Sequence, residues 1–150
     1  MVQPNQLKNN QFKFELDYIP NVIYHAQTAV IPSISLDKPK LSTPHVNIGL
    51  GGTKLEFDPL IIEFIVDREL TNYIELYNWM IKIATTNKND THDSSADLHL
   101  LSGNLANGIT LRFNHVHPIA ISELSFDSKT TDPELLICSA TFDYSDFEFV

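Results

Sequence analysis

Two histidine-bearing pairs offer the richest chemistry in this 150-residue chain: Asp97 with His99, and His115 with His117. Residues two apart on a β-strand project from one face, so each pair presents two metal-ligating side chains together. If the two strands pair, four ligands converge into a zinc- or iron-binding Asp/His set. Against this, His115 continues the face of Leu111 and Phe113, where a hydrogen-bonded core or rim histidine is the commoner outcome. His25, His45 and His92 have no partner pattern. Other chemistry is thinner still: the chain contains no G-x-S-x-G elbow, no phosphate loop and no H-E-x-x-H. Its acidic residues are scattered over strands and loops, as on a solvated or lumenal face, so no catalytic residue, enzyme activity or cofactor is expected. Cys138, the single cysteine, allows no intramolecular disulfide, and its apolar strand suggests a buried thiol.

The segments that must position these residues read mainly as strands. Asp97 to Leu101 and Ile109 to Val116 flank a hairpin end marked by Gly103-Asn104 and Asn107-Gly108; Pro118 breaks or edges the sheet, and Ile119 to Phe126 resumes it. Phe12, Phe14, Leu16 and Tyr18 alternate with Lys13, Glu15 and Asp17, and Val22 to Ile31 forms a second strand. Leu60, Ile62, Phe64 and Val66 keep period two, as do Leu136, Cys138, Ala140, Phe142 and Tyr144 against Ile137, Ser139, Thr141 and Asp143.

Between these strands the period changes once. Leu70, Tyr73, Ile74, Tyr77, Ile81 and Ala84 fall at helical spacing, predicting a helix whose stripe faces the core and whose first turn is capped by Asp67 or Thr71. Trp79 lies off that stripe and is the candidate for a subunit interface. Seven or eight strands and one helix predict a single mainly-β domain over 1–150: a β-barrel or sandwich of two packed antiparallel sheets with a flanking α-helix. Residues 1–10 read as a flexible polar leader. Residues 33–53, interrupted by Pro39, Pro44, Gly49, Gly51 and Gly52, read as a protruding hairpin, either an ordinary surface excursion or a functional one.

Charge narrows the function classes. A formal charge of −9 argues against gripping nucleic acid, because a polyanion is held by a basic footprint. Met1 to Asn10 is too polar for a signal peptide, and no apolar run nears the roughly 18 residues of a membrane span. Synthesis and folding in a cytoplasm are therefore expected.

An ordered set of short motifs adds a resemblance. F-D-P-L (Phe57 to Leu60), V-D-R-E-L (Val66 to Leu70), Asn72-Tyr73 and the mid-helix Trp79 are followed by D-L-H-L-L-S-G-N (Asp97 to Asn104) and H-V-H-P-I-A-I-S (His115 to Ser122). In that order they resemble the tail-tube proteins of contractile bacteriophages, from about Phe12 onward. The likeness is nearest to the baseplate protein that caps or initiates the tube and weaker to the main tube subunit.

The resemblance implies a phage tail tube-like fold, shared with type VI secretion tube proteins, and no metal at the Asp/His pairs. It also implies a homohexameric ring that stacks coaxially, works with tail sheath and baseplate proteins, and conducts DNA without specific binding. Such a protein sits in the virion tail after assembly in the host bacterial cytoplasm, with no membrane partner. The hairpin becomes an inter-ring arm carrying Asp37, Lys38, Pro39, Lys40, His45 and Asn47. Candidate lumen residues are the polar alternates Lys13, Glu15, Asp17, Thr141 and Asp143. The reading is a structural subunit of the tail tube; a baseplate initiator or cap of the same fold, a type VI secretion tube protein and a tail terminator are its alternatives. From another class, the alternative is a small β-barrel binding module with an Asp/His metal site.

Overall fold

A computed structural model describes residues 11–19, 26–36, 40–42, 47–49, 55–86, 94–101, 108–129 and 131–150. The leader, His25 and His92 lie outside them, as do Asp37, Lys38, Pro39 and His45 of the expected arm.

The described strands pair antiparallel throughout. Strands β1 (Phe12–Leu16), β2 (Ala26–Ala29), β7 (Leu60–Ile65), β8 (Ser94–Leu100), β9 (Ile109–Ile121) and β10 (Ile137–Asp143) join in the order β1-β8-β9-β10-β7-β2, and β11 (Asp146–Phe149) pairs with β9. The ends of this path, β1 and β2, approach each other, so the layer curls toward closure around one core. Period two is what makes that possible: Phe14 and Leu16, Leu60, Ile62 and Phe64, Ala96 and Leu98, and Cys138, Ala140 and Phe142 all point inward and are buried.

Strand β9 belongs to both halves of the sheet. Its first part lies between β8 and β11, whereas His117 to Ile121 pairs with β10. The change of partner occurs at a bend. His115 has φ 56°, and the β9–β10 register shifts between Thr141 and Phe142. Two expectations are corrected here. Pro118 does not break the strand; it lies where β9 has β10 as its one partner among the described strands, beside that register shift, and strand structure stops at Ile121 without continuing to Phe126. His115 does not continue the inward face of Leu111 and Phe113; left-handed backbone turns it outward, and Val116 takes the buried place.

Between Phe57 and residue 33 the short pieces β3 (Ile34–Leu36) and β6 (Leu55–Phe57) pair, and β4 (Lys40–Ser42) and β5 (Asn47–Gly49) pair separately. Lys40 and Asn47 therefore sit on opposite strands of the inner pair, opposite Gly49 and Ser42 respectively.

Helix α1 (Thr71–Thr85) leaves β7 through a corner built from side-chain hydrogen bonds. Leu70, in left-handed conformation, is the cap position, while the Asp67 carboxylate accepts from the Thr71 N–H at 2.6 Å, so Asp67 supplies the cap oxygen. Asn72, fully buried, donates from Nδ2 to the Ile65 carbonyl and accepts at Oδ1 from the Tyr73 and Asp67 N–H groups. Those bonds set the rotation of the helix and overturn most of the expected stripe, of which only Leu70 and Tyr73 pack against the core. The face carrying Asn72, Leu76 and Trp79 turns inward, whereas Ile74, Tyr77 and Ile81 are about half exposed. The helix has two apolar faces at helical spacing, and the one holding the largest side chain buries more area. Trp79 is accordingly a core residue, 1% exposed and stacked on Tyr18 with ring centroids 4.5 Å apart, and is no longer available as a subunit interface.

Candidate functional site

Strand pairing gathers a polar cluster on the wet face of β1, β8 and β9. Register places Glu15 opposite Asp97 and Lys13 opposite His99; on the other side of β8, Asp97 faces Arg112 and His99 faces Thr110. Contacts follow from that grid. Lys13 Nζ lies 2.8 Å from Glu15 Oε1, His99 Nε2 lies 3.4 Å from Glu15 Oε2, and Arg112 Nε donates to Asp97 Oδ1 at 3.0 Å. His99 Nδ1 is hydrogen-bonded to Thr110 Oγ1 at 2.9 Å. The Lys13 ammonium draws the Glu15 carboxyl below its ordinary range, with partial desolvation opposing it and His99 adding to the drop. Asp97 likewise raises the Arg112 guanidinium.

The four residues singled out from sequence do not meet. Asp97 and His99 join Glu15, with one ligand atom from each lying within 4.8 Å of the others. His117 instead faces Asp143 at 3.9 Å, and His115 is turned to solvent by the β9 bend. Glu15 was missed as a partner because its place beside Asp97 depends on the pairing of β1 with β8, which no local spacing reveals. The alternation of Lys13, Glu15 and Asp17 signalled only that these residues share a wet face.

The lumen candidates divide between two surfaces. Glu15 and Asp17 lie on the ion-paired face just described, where Asp17 accepts a hydrogen bond from the Ser95 hydroxyl. Thr141 and Asp143 lie on the outer face of β10, where Thr141 is opposite Ile61 of β7, and Ile137 is opposite Ile65. There Ile61, Ile119 and Ile137 are each close to half exposed. The second surface is thus apolar with a polar border, like the helix face of Ile74, Tyr77 and Ile81.

Over 136 residues the chain is 32% identical to the tail tube terminator protein of Enterobacteria phage T4, covering 83% of this chain and 76% of that protein. The chain belongs to the tail tube terminator family. No family model matches it. The fold of this terminator relative recurs at lower identity in the structure of the anti-feeding prophage cap, its tube terminating cap, with TM-score 0.72 and 11% identity over 100% of this chain and 94% of that one. It recurs more distantly in a type six secretion system protein, with TM-score 0.57 and 11% identity over 92% and 81%. The expected kinship with contractile tail tubes, and the fold shared with type VI secretion, therefore hold. Within that kinship, membership of the terminator family favours a cap over the repeating subunit of the tube.

Proposed function

We propose that this protein is the cap that closes a contractile tail tube: a ring of six copies seated on the last ring of the tube. The observation that carries the reading is the 32% identity with the phage T4 tail tube terminator, spread over 83% of the chain. Its role is structural, without turnover. Its partners are copies of itself, the terminal tube ring, and the sheath and baseplate proteins of the same tail. It works in the virion tail or a tail-like particle, assembled in the bacterial cytoplasm.

The surfaces suit that role. A ring needs two different complementary patches on each copy, because a heterologous contact closes by rotation. The apolar helix face (Ile74, Tyr77, Ile81) and the apolar sheet face (Ile61, Ile119, Ile137) are two such patches. The ion-paired face of Lys13, Glu15, Asp97 and Arg112 is left to face water in the bore, where Glu15 and Asp17 contribute negative charge and DNA slides past without phosphate contacts. The arm, with Lys40 and Asn47 on its paired strands, reaches the neighbouring ring.

The test is to mix the purified protein with the main tube subunit of the same tail and follow tube length by electron microscopy. We expect rings of the protein alone, and short tubes closed at one end in the mixture. Indefinite tubes from the protein alone would make it the repeating subunit instead.

A further inference from the structure

We propose that Glu15, Asp97 and His99 form a binding site for a divalent first-row transition ion such as Zn2+. Their ligand atoms already lie within 4.8 Å of one another, and the Glu15 Oε2 to His99 Nε2 separation is 3.4 Å. Donors about 2.1 Å from a zinc ion stand about 3.0–3.4 Å apart, so this edge is formed and only the Asp97 side chain has to close in.

The surrounding groups hold each ligand in a useful attitude. Lys13 takes Oε1 of Glu15 and leaves Oε2 turned to the imidazole. Arg112 takes Oδ1 of Asp97 through Nε and reaches Oδ2 only at 3.5 Å. Thr110 engages Nδ1 of His99; in the tautomer whose Nδ1–H donates to that hydroxyl, Nε2 presents its lone pair to the carboxylates, the outer-shell orientation of a metal-bound histidine. Charge is also in balance. Lys13 and Arg112 stand against Glu15, Asp97, Asp17 and Glu148, the last two acting on Arg112 through space, which leaves two negative charges for a divalent ion to neutralise. One imidazole with two carboxylates favours Zn2+, Co2+ or Mn2+ over Mg2+ and Ca2+, which prefer all-oxygen shells.

The test is calorimetric titration of the full-length, tag-free protein with Zn2+, and the same titration with Mg2+. We expect one saturable Zn2+ per chain, at least tenfold weaker binding in His99→Gln, unchanged binding in His117→Gln, and a visible d–d absorption on Co2+ binding that is changed in His99→Gln. Glu15→Gln, an exposed-face change, should weaken Zn2+ to a similar degree and decides the matter if His99→Gln does not fold. Absence of saturable Zn2+ binding, equal affinity for Mg2+, or binding indifferent to both substitutions would overturn the site.

Discussion

The Asn72 side-chain amide donates to the main-chain carbonyl of Ile65 at 2.8 Å, so the first turn of the helix is bonded to the last residue of the strand that precedes it. Asn72 is fully buried, and without its amide the part-buried main-chain groups of Ile65, Asp67 and Tyr73 would each lose a partner. Asn72→Ala should lower stability by about 2–3 kcal/mol, the cost of leaving buried polar groups unpaired. Asn72→Asp should cost more, since a carboxylate oxygen would then face the Ile65 carbonyl. Chemical denaturation measures both, and equal stability of Asn72→Ala and wild type would remove the anchoring role of this side chain.

The two faces of the same helix should separate folding from assembly. Trp79→Ala should cost about 3–5 kcal/mol, as for other large aromatic truncations in a core. Tyr77→Glu, on a half-exposed face, should change monomer stability by no more than about 0.5 kcal/mol yet prevent ring formation. Denaturation and sedimentation of both variants give the answer. Normal rings from Tyr77→Glu would take the helix face out of the interface.

Alkali should loosen the fold through Tyr144. Its hydroxyl donates to the Asp58 carbonyl at 2.7 Å, and burial, reinforced by the charges of Asp58 and Asp143, pushes its pKa up to about 12. A folded pKa above the unfolded value, about 10, means the stabilisation is complete below pH 10 and is lost as pH rises through 12. Stability should therefore fall by about 1–2 kcal/mol across that window. Tyr144→Phe should begin about 1 kcal/mol lower, for the lost hydrogen bond, and show a shallower decline. An identical alkaline slope in the two proteins would rule Tyr144 out as its source.

Gly108 is a position where size alone decides. A Cβ added there would run into the Leu100 carbonyl oxygen, a backbone atom that cannot swing aside. Gly108→Ala should cost about 1–3 kcal/mol by forcing β8 and β9 apart at their hairpin end. Thermal unfolding of the variant is sufficient to check it, and an unchanged midpoint would mean the hairpin end yields without cost.

Much of this architecture is legible in local periodicity. The inward sets of β1, β7 and β10 follow directly from alternation, because a half-buried strand must keep one face apolar. The helix was legible in place but not in rotation: both its faces are apolar, and the choice between them rests on Asn72 bonding to Ile65, a tertiary contact. The His115 bend was hidden because a histidine signals left-handed backbone far more weakly than glycine does. Of the polar cluster, Asp97 and His99 were visible as a same-face pair, whereas Glu15 entered only through pairing between distant strands.

The stack of Tyr18 on Trp79 has one more consequence, which is optical. Trp79 is the chain's sole tryptophan, so the protein's indole fluorescence comes from a single known place: the inner face of the helix, 4.5 Å from a phenol ring of the segment that follows β1. Emission from so dry a site lies toward the blue, and excitation of the tyrosines will feed it by energy transfer. Any event that lifts the helix from the barrel, whether denaturant, assembly or an encounter with a tube end, will shift that colour without an added dye.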